Sequence, residues 1–183
     1  MPSPRGQLRP RGIADGRGVV AVLALGAQAA VLGTRFLASS ESRAHPHYKQ
    51  MVLEASEGDT VRTILFGYGW PNAPHRTLRT AFVRQWLGQE ARGQESRPDE
   101  PVVGRTVIGG QPMPVLRFMG FPPNSEATGD IDSMDLLAGQ SVGLIHEVKP
   151  AGRIVAELVA ETRQIISQRL VGLIATKSSR GQS

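Results

Sequence analysis

The chain has no cysteine. That excludes disulfide bonds and thiolate chemistry, and it fits a cytoplasmic protein. Aromatic residues are scarce, at 5% of the chain. No dense basic run is interleaved with them. The net charge of +5 therefore reads as a basic, soluble surface, and no nucleic-acid partner is expected. No apolar run approaches the roughly 20 residues that cross a bilayer, so no membrane partner is expected either. The arginine-bearing N-terminus lacks the apolar core of a secretory signal. The motifs GxSxG, GxxxxGK[ST] and HExxH are all missing, which removes the commonest serine-hydrolase, P-loop and zincin readings. His45-x-His47 has no third or fourth ligand at metal spacing, so no metal site is expected. The acid pairs Asp130/Asp132 and Glu90/Glu95 fall in stretches that read as loops and carry no weight as catalytic carboxylates.

The informative stretch runs from Gly12 to Lys49, GIADGRGVVAVLALGAQAAVLGTRFLASSESRAHPHYK. Gly12 and Gly16 bracket a turn. Apolar Val19, Val20, Val22, Leu23 and Leu25 then predict a largely buried helix over Arg17–Leu25, stopped by Gly26. Gln28–Leu32 is short and apolar and reads as a buried strand. Gly33-Thr34 opens a second sharp turn, with Thr34 as the candidate helix cap. Two such turns at successive strand ends aim backbone N–H groups at one spot. That arrangement holds a phosphate without a lysine.

These residues resemble the flavin-dependent nitronate monooxygenases, once called 2-nitropropane dioxygenases. The related flavin-dependent enoyl-ACP reductases share GIADG and GTRF. The resemblance extends through Trp70-Pro71-Asn72 with Arg76-Thr77-Leu78-Arg79, through Ala138-Gly139-Gln140-Ser141-Val142-Gly143-Leu144-Ile145, and into a closing helix from about Ile154. It covers nearly the whole chain after Arg11.

The fold the resemblance implies is α/β: the C-terminal part of an FMN-dependent (β/α)8 TIM barrel, with an insertion loop and a C-terminal helix. A complete barrel of this type needs about 250 residues, and the chain has 183. The expectation is therefore a fragment. Residues 1–11 read as a disordered basic arm, 12–66 as barrel units with the phosphate turns, 67–132 as an insertion or loop region, 133–175 as a helical segment and 176–183 as a disordered tail. Within these, His45-Pro46-His47 should begin a helix reaching about Ala55. Thr60–Phe66 reads as a strand, Gly67–Pro74 as a loop and Thr77–Leu87 as a helix. Gly88–Asp132 reads as a long loop with one strand-like piece at Thr106–Ile108, Ser133–Ile145 as a helix broken at Gly139, and Arg153–Ala175 as an amphipathic helix.

By resemblance, Gly12, Val31, Leu32, Gly33 and Thr34 hold the flavin phosphate. Gln140 and Ser141 can hydrogen-bond a flavin edge or a small polar substrate. Arg35, beside the phosphate turn, is a candidate extra charge. Arg11 stands where the family usually has a second glycine, and Leu137 where relatives commonly have a tyrosine. The family's catalytic histidine lies before the first matching residue, so His45, His47, His75 and His146 inherit no such role and no catalytic residue is assigned. The implied activity is oxidation of an alkyl nitronate by O2, with FMN as cofactor. Its rivals are an enoyl-ACP reductase of the same fold and a non-catalytic remnant that binds phosphate or a polyanion. Exposed apolar surface on such a fragment would favour self-association.

Overall fold

A computed structural model describes residues 12–95, 97 and 99–175. The readings of the basic arm, of Arg11 and of the 176–183 tail lie outside those residues.

Helix α1 spans Gly16–Ala24. Asp15 caps it, its Oδ1 accepting from the Gly18 N–H at 3.0 Å. A second cap comes from far along the chain: Glu161 Oε2 accepts from the Gly16 N–H at 2.7 Å. Gly26, at φ +92°, ends the helix. Its N–H donates to Leu23 O and that of Ala27 to Val22 O, the paired bonds of a Schellman turn. The helix and its stop are as expected, but its burial is not. Only Gly16 and Val20 are buried, and Leu23 and Leu25 stay exposed, because the main packing against α1 comes from residues 151–170, late in the chain.

The segment 28–32 is not a strand. A strand exists by virtue of its ladder, and no described segment pairs with this one. Val31 is instead 68% exposed. Helix α2 is a single turn, Thr34–Leu37, capped by Gly33 and not by Thr34. Helix α3, Pro46–Glu54, has Pro46 in its first turn, and the His45 ring accepts from the His47 N–H. Tyr48 and Val52, four residues apart on one face, enter the main core.

Strands β1 (Thr60–Thr63) and β2 (His75–Leu78) pair antiparallel. The 75–78 strand replaces the first turn of the helix expected over Thr77–Leu87. Helix α4 begins only at Ala81, where the Thr80 hydroxyl accepts from the Val83 N–H, and it runs to Gln85. On its other side β2 meets residues 136–138: Leu78 N–H donates to Leu136 O at 2.9 Å and Ala138 N–H to Arg76 O at 3.0 Å. That contact is extended backbone where a helix was expected. Residues 133–145 hold no α-helix; 3₁₀ turns at Ile131–Ser133 and Gln140–Leu144 flank it.

The described residues of the long loop expected over 88–132 also form regular elements. A 3₁₀ turn covers Glu90–Gln94, β3 covers Val102–Ile108, β4 covers Gln111–Leu116 and β5 covers Thr128–Gly129, in the order β4-β3-β5. Gly109 and Gly110, at φ +58° and +80°, make the two-residue hairpin turn between β3 and β4. Pro112 and Pro114 are tolerated because β4 is the edge strand.

Two apolar clusters result. The larger gathers Tyr48, Val52, Leu78, Val115, Met134, Leu136, Val142 and Ile145. The smaller holds Leu65, Phe66, Val83 and Phe118, with Trp86 edge-on to Phe118 at 5.0 Å. Beside it Glu100 is buried between Arg92 and Arg117, at 2.8 and 2.5 Å. Their two hydrogen bonds hold its carboxyl below the ordinary range, although burial pushes the other way.

Helix α5 spans Ala151–Gln164, continues through a π-helical stretch at Ile165–Leu170 and ends in α6, Val171–Ala175. Ile154 is buried, whereas Val155, Val159, Ile166 and Leu170 are exposed. One stripe of the helix faces α1 and the neighbouring stripe is bare. Among the described residues no helix is long and apolar enough to cross a membrane.

Candidate functional site

A cleft of about 520 Å³ is lined by Gly12, Ile13, Val31, Gly33, Thr34, Leu37, Arg76, Leu137, Ala138, Gly139 and Ser141. It unites both glycine turns with the Ala138–Ser141 stretch. Two hydrogen bonds make the junction. The Thr34 hydroxyl oxygen accepts from the Gly139 N–H at 3.0 Å, and Ala138 is bonded to β2 as described. The Thr34 hydroxyl proton remains available to a ligand. The first N–H groups of α2 have no intrahelical acceptor.

The two glycines differ in what the fold asks of them. Gly12 sits at φ +83°, a conformation L side chains rarely adopt. Gly33 has φ −106°, and a Cβ placed there would meet no atom within 4 Å. Neither its backbone nor its packing requires glycine. A Cβ at that position would instead stand in or beside the cleft.

Of the residues singled out by sequence, Gly12, Val31, Gly33, Thr34 and Ser141 border the cleft. Leu32 and Gln140 do not: Leu32 is half-buried outside the lining and Gln140 is exposed. Arg35 turns away. It is 7% exposed, its Nη1 donates to Glu147 O at 3.2 Å, and it borders a different cavity of about 190 Å³ with Asp15, His146, Lys149, Glu157 and Glu161. Burial lowers the pKa of its guanidinium, opposed by the Glu147 and Glu157 carboxylates.

The charge on the cleft comes from Arg76. No other ionisable side chain is among its lining residues. Arg76 Nη1 donates to Thr60 O at 3.3 Å and to Thr60 Oγ1 at 3.1 Å, which ties the guanidinium to β1. Sequence reading treated Arg76 only as part of a recognisable stretch. The available signal was a cation just after a Gly/Pro/Asn loop, three residues before Arg79, and that signal does not say which way the side chain points.

None of the four histidines lines the cleft. His47 Nε2 lies 2.8 Å from Asp132 Oδ1 on the surface, His45 caps α3 and His146 borders the smaller cavity. His75 is enclosed next to Asp135, its Nε2 3.1 Å from Asp135 Oδ2. Among the described residues no group of three acids or histidines could hold a metal ion.

Glycine turns and one cation around a cleft of an α/β chain are features that suit an anion. Comparison with known proteins narrows that reading. The sequence model of the nitronate monooxygenase family matches residues 11–161, and the chain belongs to that family. It is 34% identical over 163 residues to the nitronate monooxygenase npaC of Metarhizium robertsii, covering 85% of this chain and 41% of that protein. Among solved structures it is similar to the nitroalkane oxidase of Streptomyces ansochromogenes, with 33% identity, a TM-score of 0.59 and coverage of 84% of this chain and 38% of the other. FabK of Thermotoga maritima matches with 31% identity, a TM-score of 0.58 and coverage of 88% and 45%. The chain thus spans about two fifths of the length of these relatives.

Proposed function

We propose that the cleft is the phosphate end of an FMN site, in an α/β unit corresponding to the C-terminal part of a (β/α)8 barrel. The activity it serves is oxidation of an alkyl nitronate by O2 to a carbonyl compound and nitrite. The observation that carries this reading is the meeting of Gly12, Gly33, Thr34, Gly139 and Arg76 around one cleft. The residues fit the group. Gly33 leaves room for close backbone approach, the Thr34 hydroxyl can donate, and Arg76 supplies a positive charge that strengthens phosphate binding. Bound flavin supplies the electron transfer and the oxygen chemistry.

The chain's own part is binding and orientation. The Gly12–Ile13 backbone and the 33–34 turn border the cleft, and Ser141, at 6% exposure, offers a hydroxyl to a flavin edge or a substrate oxygen. No histidine or carboxylate borders the cleft, so a base for the substrate proton is not drawn from its walls. The 183-residue chain mixed with FMN and a propyl nitronate is therefore expected to consume oxygen no faster than free FMN. Turnover clearly above that background would place the base among residues given no such role here.

Fluorescence titration with FMN tests the site. Binding should weaken in Thr34→Val and Arg76→Gln, and unchanged affinity in both would move the phosphate elsewhere. The likeness to FabK favours a second reading, a flavin-dependent enoyl reductase. Oxidation of a nicotinamide cofactor by the assembled enzyme, without consumption of nitronate, would select it.

A further inference from the structure

Behind the cleft wall lies a buried polar cluster for which the flavin reading has no use. His75 opens β2, one residue before Arg76. Asp135 lies two residues before Leu137, on the segment that pairs with β2. Their side chains are 13% and 2% exposed, and Nε2 and Oδ2 are 3.1 Å apart. The His75 Nδ1–H can donate to Ala73 O, 2.8 Å away. The 3.1 Å contact is an ion pair whose geometry does not complete a hydrogen bond: His75 Nε2, Asp135 Oδ1 and Thr77 Oγ1 are all buried, and among the described residues they have no hydrogen-bond partner. From the opposite side, the buried Tyr48 hydroxyl donates to Leu137 O. Two clamps from different elements thus hold a few residues of backbone, and those residues line the cleft.

We propose that His75 is a positioning residue: its imidazolium, held by Asp135, fixes residues 136–139 against β2 and so sets the geometry of the cleft wall formed by Arg76, Leu137, Ala138 and Gly139. An apolar pair of similar volume would pack as well or better, since burying charge is expensive. What the charged pair adds is registry and a response to protons. The close contact with Asp135, aided by its charge and by Ala73 O, raises the pKa of His75 above its ordinary value, against the opposing pull of burial. The groups facing the ring are few. Asp135 faces it from the 136–138 side. From α3, Tyr48 feels the Asp135 charge, and burial and that charge hold its hydroxyl protonated well above the usual range. The Phe66 and Trp70 rings, with centroids at 6.3 and 6.4 Å, carry no titrating group.

The sign follows from the raised value. The stabilisation is fully present below the ordinary imidazole pKa of about 6.5. It is lost as pH rises through the higher folded value, where the ring becomes neutral beside a buried carboxylate. The cleft wall is therefore firm in mild acid and loosens toward alkaline pH.

The significance of this brace rests on the flavin reading, but its test does not need flavin. The measurement is a two-dimensional NMR pH titration of the flavin-free 183-residue chain, following the His75 ring and the amides of Leu137, Ala138, Gly139 and Ser141. The ring should titrate above about 6.5, and the four amides should move with the same midpoint. In Asp135→Asn the ring midpoint should fall to about 6.5 or lower, and the amide transition should move with it or vanish. Stacking of Trp70 on His75, at 9° between planes, gives a second readout: indole fluorescence should change with the same midpoint and stop responding in His75→Gln. If His75→Gln does not fold, the wild-type and Asp135→Asn titrations decide the matter. A ring that titrates while the four amides stay flat would overturn the proposal. So would amides whose midpoint ignores Asp135→Asn. Failure of FMN to bind would count against the flavin site alone.

Discussion

Gly93 and Gly104, packed within the 90–129 region, and Gly33 of the cleft are used in opposite ways. A Cβ on Gly93 would overlap the Leu65 carbonyl, and one on Gly104 would overlap the Thr128 carbonyl and the Met134 side chain. Both are demanded by backbone packed against backbone. Gly33 meets nothing and has no positive φ, so the fold would accept a side chain there. A glycine that the fold requires reports on folding. One that the fold does not require, placed on a cleft, reports on what the cleft must admit.

Three substitutions sharpen that contrast. The largest effect is expected at Gly93→Ala. The new methyl must displace main chain, not a flexible side-chain tip, so the loss should be about 3 kcal/mol or more, read as a fall in the denaturant midpoint. A loss under about 1 kcal/mol would show that the Leu65 carbonyl yields easily. Next comes Gly33→Val. Its stability should stay within roughly 0.5 kcal/mol of wild type, while FMN affinity falls at least about tenfold, or ~1.4 kcal/mol. Equal loss of stability and affinity would erase the distinction between the two kinds of glycine. Smallest is Arg76→Gln, which keeps a donor for Thr60 but removes the charge. FMN affinity should fall about three- to tenfold, or ~0.7–1.4 kcal/mol, within the range of one ordinary hydrogen bond, and the salt dependence of binding should flatten. Unchanged affinity and salt dependence would detach Arg76 from the ligand.

The same contrast explains what was legible in the sequence. The turns at Gly12–Gly16 and Gly33–Thr34, the Gly26 stop and the Pro46 helix start were readable because short-range backbone chemistry decides them. Strand β2 was not. The residues His75-Arg76-Thr77-Leu78 have no strong local preference and are extended because they lie between β1 and 136–138. Strand β4 was hidden by Pro112 and Pro114, which are excluded from strand interiors but not from an edge. The 28–32 stretch looked like a strand by composition and lacks a described partner to make it one. The two arginines make the sharpest case. Arg35 sits beside the phosphate turn in sequence yet points into another cavity. Arg76 is 41 residues further on, and tertiary pairing brings it to the cleft. Sequence spacing fixes which turns form, but it does not fix which charges face them.

The bare stripe of α5 is a separate matter from the cleft. Val155, Val159, Ile166 and Leu170, with Leu23 and Leu25 of the α1 end, leave apolar surface open to solvent. Self-association of the isolated chain is the expected outcome, read by size-exclusion chromatography over a concentration series. A monomer throughout the series would contradict it.

The central claim is that the cleft recognises a phosphate. It is tested most directly by comparing FMN with riboflavin, which lacks only that group. In a fluorescence titration of the 183-residue chain, FMN should bind at least about tenfold more tightly than riboflavin, a difference of ~1.4 kcal/mol, and Gly33→Val should remove the preference. Equal affinity for the two flavins, or a preference for FMN that survives Gly33→Val, would contradict the account.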